Sequence, residues 1–155
     1  MKCAAGQSFY DHANKATNRL TYNQANGVGV KTTASYGATT LQVTTQNVII
    51  DGLQIKATGT GTIPCIVGAT NKIKNFIVSG VQRSNVNAFL LQLDNCTAVN
   101  GLVIANSANT MTAVSVGSAA KAVNLTVVRP SNFTAGGKAW SSTYGTATVK
   151  NCLTF

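Results

Sequence analysis

The sequence predicts an all-β solenoid, in which short strands stack along one axis and each turn of the chain contacts its neighbours. Two observations lead to this prediction. A short pattern of apolar and polar residues recurs at intervals of 23 to 26 residues, and a period in this range is typical of stacked repeats. The chain is also rich in Thr, Asn, Ser and Gly, whereas aromatic residues make up 6% and charged residues 10% of it. We therefore expect a narrow core of Val, Ile and Leu beneath a neutral polar surface.

The repeated pattern is an apolar residue, a polar residue, Gly or Asn, and then alternating apolar positions. A strand places residues i and i+2 on one face, so the first and fourth positions share an interior only if the chain turns between them. Gly and Asn enter the left-handed backbone conformation of such a turn at low cost. We predict a strand, a one-residue corner and a second strand in each of six copies, which span residues 25–30, 50–55, 73–78, 99–104, 123–128 and 149–154.

The third position of each copy is the predicted corner. Five copies have Gly or Asn there, namely Gly27, Gly52, Asn75, Gly101 and Asn151. The fifth copy has Leu125 at this position, and we interpret it as lacking one residue. The sixth copy is out of phase at Leu153 and Phe155.

A second alternating strand precedes each motif, at residues 41–43, 65–67, 91–93 and 114–116. Short polar bends containing Asn47, Asn71 or Asn95 are predicted to join this strand to the motif. Longer Gly-, Thr-, Ser- and Asn-rich segments follow the motifs, at residues 56–64, 83–88, 105–111 and 129–138. They are predicted to be surface loops on one side of the stack, and that side is the expected binding surface.

The length of 155 residues indicates one domain. Residues 1–19 precede the repeat and are predicted to form an N-terminal arm or cap, and residues 20–155 the solenoid. Phe9 and Tyr10 are expected to be the apolar contacts of this cap over the first turn. The last turn stops on apolar residues at Phe155, and we expect another copy of the chain or another protein to cover it, so the chain is predicted to form a homo-oligomer.

The net charge of +9 arises from 12 basic and 3 acidic residues and predicts an acidic partner. The absence of a recognition motif and of interleaved aromatic and basic residues disfavours nucleic acid. No stretch is long and apolar enough for a membrane span or a signal peptide. An acidic glycan and an acidic protein face both stay open as partners.

The four cysteines are not expected to form a disulfide framework or a metal site. Cys3, Cys65, Cys96 and Cys152 occupy unrelated positions in the repeat, so pairing between adjacent turns is not predicted. No CxxC pair suggests a metal ligand set. Buried free thiols are expected instead, and an intermolecular bridge through Cys3 stays open.

No residue set for catalysis is recognisable. Asp51 and Asp94 are the only carboxylates within the repeats, and they fall at different positions two turns apart, unlike the facing pair of a glycoside hydrolase. Asp51 aligns with the Asn that precedes the corner in other copies, which favours a structural role. His12 is the only histidine and lies in the predicted arm. We predict no catalytic, cofactor-binding or metal-binding residues and expect a protein that is not an enzyme.

Surface lysines and aromatic residues are therefore the candidate binding residues. Lys31 and Lys56 occupy the same position in consecutive copies and should stack about 4.8 Å apart. They are either splayed, solvated side chains or an anchoring stripe for an acidic partner, to which Lys72 and Lys74 would add. Trp140 and Tyr144 either form a contact patch or cover the final turn. The predicted partner-binding residues are Phe9, Tyr10, Lys31, Lys56, Lys72, Lys74, Trp140, Tyr144 and Phe155.

Turns of this length, with three short strands and a stacked Gly or Asn corner, resemble the right-handed parallel β-helix of the pectate-lyase-like group. The resemblance implies a single-stranded right-handed parallel β-helix of about six turns. The lyases of that group use a cluster of carboxylates that holds calcium beside a basic residue. This sequence has no such cluster, so no catalytic residue carries over.

The opening run, residues 6–11 and 18–28, is similar to a segment of β-helical virion proteins of tailed bacteriophages. This similarity implies a non-enzymatic structural protein of a virion, in particular a capsid decoration or cement protein that docks on the major capsid protein or on copies of itself. Two alternatives stay open. One is a tail-associated adhesin or tailspike-type protein that binds host surface glycan, and the other is a fragment of a polysaccharide lyase or hydrolase.

Overall fold

The computed structural model describes residues 28–33, 39–58, 63–81, 89–106, 112–129, 137–142 and 145–155. In these ranges the secondary structure consists of strands, and no helix is long and apolar enough to cross a membrane. The strands are β1 (Gly29–Thr32), β2 (Thr39–Val43), β3 (Ile49–Asp51), β4 (Gln54–Ala57), β5 (Ile63–Val67), β6 (Lys72–Gly80), β7 (Phe89–Leu93), β8 (Thr97–Ala105), β9 (Thr112–Val116), β10 (Lys121–Val128), β11 (Lys138–Ser142), β12 (Thr148–Lys150) and β13 (Leu153–Thr154).

The strands form two parallel sheets that stack turn upon turn. The larger sheet has the order β1-β4-β6-β8-β10-β12, with β3 also beside β6 and β13 also beside β10, and the smaller sheet has the order β11-β9-β7-β5-β2. The chain alternates between the sheets, and each strand pairs with its counterpart in the next turn. This confirms the predicted all-β parallel solenoid. The described part has about four complete turns, against the predicted six, because the first copy contributes only β1 and the last only short strands.

The larger sheet bends at one residue in each turn, as predicted, but the predicted position of this residue is one too late in the fourth and fifth copies. Left-handed φ angles occur at Gly52 (74°), Asn75 (51°) and Asn151 (52°), in agreement with the sequence, and also at Asn100 and Asn124 (both 54°). Because the corner is Asn100 and not Gly101, the fourth copy begins one residue earlier than predicted. The same shift applies to the fifth copy, which lacks no residue, since Asn124 supplies its corner. Gly27 lies outside the described residues.

Strand register shows the same one-residue shift. Ile73 pairs with Ala98, and Ala98 pairs with Ala122, so Ala98 and Ala122 occupy the position assigned from sequence to Val99 and Val123. Gly101 has a different role: it pairs with Phe76 of the preceding turn. A Cβ atom built on Gly101 would overlap the Phe76 ring. The glycine is therefore needed for close packing in the interior, and not for a turn.

The core lies between the two sheets and receives buried apolar residues from both of them. In the larger sheet, Leu53, Phe76 and Leu125 follow the corners and are fully buried. The smaller sheet contributes a column of registered neighbours that point inward, namely Leu41, Cys65, Leu91, Val114 and Trp140. Burial of one Leu or Ile side chain stabilises the folded state by about 1.5–3 kcal/mol, so the buried apolar residues of both sheets contribute much of the stability.

Short bends join the smaller sheet to the larger one where the sequence predicts them. Asn47 and Asn95 have left-handed φ angles of 63° and 46°. Asn71 is buried and bonds to the adjacent turn, because its side-chain oxygen accepts a hydrogen bond from the Val48 amide at 2.8 Å. Its side-chain amide donates to the carbonyl oxygens of Val43 and Gly68. Most of the predicted long surface loops, and the predicted N-terminal arm, lie outside the described residues.

Candidate functional site

Lys31 and Lys56 are direct neighbours across β1 and β4, so their predicted stacking is confirmed. Lys31 is exposed and Lys56 is half-buried. The column continues with Ser79 and Ile104. The stripe of positive charge on this face therefore ends after two rungs.

The structure places Lys72 and Lys74 on a different face from Lys31 and Lys56. Both precede the corner at Asn75, whereas Lys56 follows the corner at Gly52. Ile73, between the two lysines, is buried, so their side chains project outward. The four lysines do not form one stripe.

Lys72 and Lys74 belong to a second surface, which we call the lysine face. It consists of the outward side chains of β3 and β12 and of the parts of β6, β8 and β10 that precede the corner. Strand register arranges these side chains in two columns. The first column is Ile49, Lys72, Thr97, Lys121 and Thr148, and the second is Asp51, Lys74, Val99, Val123 and Lys150. The face thus has four lysines and one aspartate.

Sequence reasoning missed Lys121 and Lys150 as members of this surface. The predicted starts of the fourth and fifth copies were Val99 and Val123. With these starts, Lys121 lay outside the repeat, and Lys150 aligned with Asn100 and Asn124. If the copies had been aligned on Asn75, Asn100 and Asn124 as corners, Lys121 would have aligned with Lys72, which lies two turns away. The signal was present in the sequence, but it required a choice between Asn100 and Gly101 as the corner.

Asp51 lies beside the corner and ends a ladder of side-chain amides. It pairs with Lys74, which corrects its predicted alignment with Asn100 and Asn124. Its carboxylate contacts the Lys74 ammonium at 3.1 Å and accepts a hydrogen bond from the Asn75 amide at 2.7 Å. Asn100 donates to Asn75 at 3.3 Å, and Asn124 donates to Asn100 at 3.1 Å. The ladder connects four consecutive turns along one edge of the lysine face.

Asp94 lies in the bend after β7, where it borders a surface pocket of about 300 Å³. The pocket is formed by two consecutive turns and combines an aromatic ring with an amide, a carboxylate and two hydroxyl groups. Its lining residues are Phe89, Gln92, Leu93, Asp94, Ser115, Gly117 and Ser118. Sequence reasoning missed this pocket, because its members share no motif and come together only through stacking.

The described ranges contain no group of three or more His, Cys, Asp or Glu residues arranged to hold a metal ion. Asp51 is already bonded to Lys74 and Asn75, and it lies in the larger sheet. Asp94 lies in the bend after the smaller sheet, two turns away. The two carboxylates do not face a common bond.

The prediction of buried free thiols is confirmed for Cys65 and Cys96. Burial raises the pKa of the Cys65 thiol far above its usual range, and burial also raises the pKa of Cys96, to about 12. Thiols with such pKa values are poor nucleophiles at neutral pH, since the thiolate is the reactive form. Cys152 is half-buried, and its sulfur accepts a hydrogen bond from the Leu125 amide at 3.4 Å. Cys3 lies outside the described residues.

Trp140 covers the final turn. It lies directly below Val114 in the inward column and packs against the core. Its indole N–H donates to the Thr154 hydroxyl of the larger sheet at 3.0 Å, and this bond lies at the exposed end of the stack. Leu153 and Phe155 are 57% and 69% exposed, which confirms that the sixth copy is out of phase. Three other candidate residues, Phe9, Tyr10 and Tyr144, lie outside the described part of the chain, as does His12.

Comparison of the chain with protein-family models, with curated proteins and with solved structures finds no match. The assignment of the fold therefore rests on strand register and on the corner residues.

Proposed function

We propose that this chain is a non-enzymatic structural protein of a bacteriophage virion, in particular a capsid decoration protein that docks on other virion proteins. The observation that carries the proposal is the uninterrupted register of the larger sheet from β1 to β12. A stack in which every turn is bonded to the next is a stiff spacer. Stiffness and a large solvent-facing surface are what a structural attachment to a particle requires.

The side-chain ladder supports this proposal. The amides of Asn75, Asn100 and Asn124 bond successive turns along a solvent-facing edge, in addition to the backbone bonds of the sheets. Each such bond contributes about 0.5–1.5 kcal/mol, and repetition along one edge resists bending of the stack. The location in a virion is proposed from the resemblance of residues 6–11 and 18–28 to a segment of phage virion proteins.

The experiment that tests this proposal is localisation on purified particles. Phage particles from a culture that encodes the chain would be purified on a density gradient, probed with gold-labelled antibody against the recombinant protein, and quantified by mass spectrometry. We expect regularly spaced label on the capsid and a fixed number of copies per particle. Absence of the chain from intact particles would overturn the proposal.

A second candidate function, a tail-associated adhesin, is favoured by the pocket beside Asp94. Sugar sites combine an aromatic ring with a small number of polar groups that fix orientation, and Phe89, Gln92, Asp94 and Ser118 supply such a set. The volume of about 300 Å³ suits one monosaccharide. Label on the tail, together with binding to a panel of host surface glycans that is lost in Asp94→Asn, would favour the adhesin.

The third candidate, a fragment of a polysaccharide lyase or hydrolase, has no specific support from the geometry. Incubation with acidic polysaccharides, followed by measurement of new unsaturated or reducing ends, tests it directly. Release of such ends by the purified chain would overturn the non-enzymatic proposal.

A further inference from the structure

We infer that the lysine face is the docking surface of this protein, and that its partner is a protein surface on which carboxylates surround an apolar patch. This inference rests on the proposed function, since it names the side of the solenoid through which the chain attaches to another virion protein. It differs from the expectation drawn from the sequence, in which the long loops form the binding side.

The lysine face is exposed to solvent. The chain enters it through the short bends after the smaller sheet and leaves it through the one-residue corners. Lys72, Lys121 and Lys150 are exposed, and 37% of the Lys74 side chain is exposed. Five strands at a spacing of about 4.8 Å make the face about 19 Å long.

The lysine face carries a net positive charge, because its four lysines face a single aspartate. Asp51 is the one carboxylate in its two columns, and that carboxylate is already bonded to Lys74 and Asn75. Lys72 and Lys121 lie two rungs apart in one column, with Thr97 between them, which separates them by roughly 9.6 Å. Regularly spaced ammonium groups with one local counter-charge attract an acidic surface.

The apolar residues on this face distinguish a protein partner from a polyanion. Val99 and Val123 are half-buried and stand between Lys74 and Lys150 in the second column. Ile49 is 57% exposed at the end of the first column. An apolar centre within a charged rim is the usual anatomy of a protein interface, whereas the phosphates of a nucleic acid or the carboxylates of a glycan gain little from contact with valine.

The test measures binding of a synthetic probe to the full chain. The probe is a fluorescein-labelled extended peptide in which Glu and Val alternate on one face and Thr occupies the other. Binding of the peptide is followed by fluorescence anisotropy at low and at physiological salt. The same measurement is repeated with unlabelled heparin or duplex DNA added as a competitor. We expect the peptide to bind and its affinity to fall as salt is raised, because charged groups contribute to the contact.

The matched variants are Lys72→Gln/Lys121→Gln on the lysine face and Lys31→Gln/Lys56→Gln on the other face, and each removes two positive charges. We expect about a tenfold loss of peptide affinity in the first pair and less than about a twofold loss in the second. Val99→Thr/Val123→Thr should weaken peptide binding by about threefold and leave heparin binding unchanged. Thermal unfolding of each variant shows whether it is folded.

Carbodiimide cross-linking of the unmodified chain to the peptide provides a measurement that needs no variant. We expect amide cross-links at Lys72, Lys121 or Lys150 in preference to Lys31 and Lys56. Equal losses in the two lysine pairs, or cross-links spread evenly over all lysines, would overturn the inference. Tighter binding of heparin or DNA, unaffected by Val99→Thr/Val123→Thr, would also overturn it and assign the face to a polyanion. These results do not depend on particles, so they can fail while the location in a virion holds.

Discussion

The Phe76 ring lies over Gly101 of the next turn, in the space that any larger side chain at residue 101 would need. This contact accounts for a glycine within a strand, where glycine normally weakens the sheet. It also explains why the sequence alone suggested the wrong corner, since Asn100 and Gly101 both belong to residue types that tolerate left-handed φ angles.

We therefore predict that Gly101→Ala destabilises the protein by about 1–3 kcal/mol, because an added methyl group overpacks the interior. Gly68→Ala is the matched control. The nearest atom to a Cβ at Gly68 is the Asp94 carbonyl oxygen, at 3.4 Å, so a small change is expected. The free energy of unfolding from urea titration checks both variants. The double variant Phe76→Leu/Gly101→Ala should recover part of the loss, and equal effects at Gly101 and Gly68 would contradict the packing argument.

The asparagine corners give a second prediction, which tests the corrected repeat frame. Asn124 has a φ of 54°, and its side chain donates to Asn100. Asn124→Ala should remove the hydrogen bond to Asn100 and also destabilise the folded state by about 1–2 kcal/mol through backbone strain. Asn124→Gly should remove the same hydrogen bond without this strain. Thermal unfolding should therefore show Asn124→Ala to be clearly less stable than Asn124→Gly. Equal stability of the two variants would mean that residue 124 is not the corner.

The fold could be predicted from the sequence because its period is set by backbone geometry, which recurs in every turn. Gly52 and Asn75 marked the corners correctly for this reason. The frame of the fourth copy was ambiguous in the sequence, because both Asn100 and Gly101 suit a corner. The structure resolves the choice through the contact between Phe76 and Gly101, two residues that are 25 positions apart.

The candidate surfaces were less predictable than the fold. Lys31 and Lys56 were recognised as neighbours because their copies were aligned correctly. The lysine face was not recognised, because a shift of one residue moves a side chain to the opposite face of a strand. The pocket at Asp94 is lined by residues of β7 and β9 and of the bends that follow them. The periodic pattern locates the core positions of each turn, and it does not show which polar side chains of neighbouring turns come together.

The buried thiols predict a loss of stability at high pH. Because burial raises the pKa of Cys65 and Cys96, the folded state keeps protons that the unfolded chain releases above about pH 8.5. The unfolded state then binds fewer protons, so the free energy of unfolding falls as pH rises. Between pH 8.5 and 10 the loss should be about 1–2 kcal/mol for each thiol. Urea titrations at several pH values measure this slope.

The control for this prediction is Cys65→Ala/Cys96→Ala, which should show a smaller slope than the unmodified chain at every pH above 8.5. The comparison is needed because it cancels the contribution of every other group, which is the same in both proteins. Maleimide labelling at pH 8, mapped by mass spectrometry, should modify Cys152 well before Cys65 or Cys96. Rapid labelling of Cys65 in the folded protein, or identical slopes in the two proteins, would contradict the burial of these thiols.

Trp140 and Thr154 give the last prediction, which concerns the final turn. The indole N–H of Trp140 donates to the Thr154 hydroxyl at 3.0 Å and ties the smaller sheet to the larger sheet where the core ends. Trp140→Phe keeps most of the apolar contact and removes the donor, so we expect a loss of about 0.5–1.5 kcal/mol. Thr154→Val removes the acceptor with similar shape and should have a similar effect.

A double-mutant cycle separates this hydrogen bond from packing. If the bond is formed, the loss of stability in Trp140→Phe/Thr154→Val should be smaller than the sum of the losses in the two single variants, because either single change already removes the bond. Strictly additive losses would show that the two side chains act independently. Trp140 is the only tryptophan of the chain, so its fluorescence emission follows unfolding of the final turn. Emission in Thr154→Val should shift to longer wavelength at a lower urea concentration than in the unmodified protein.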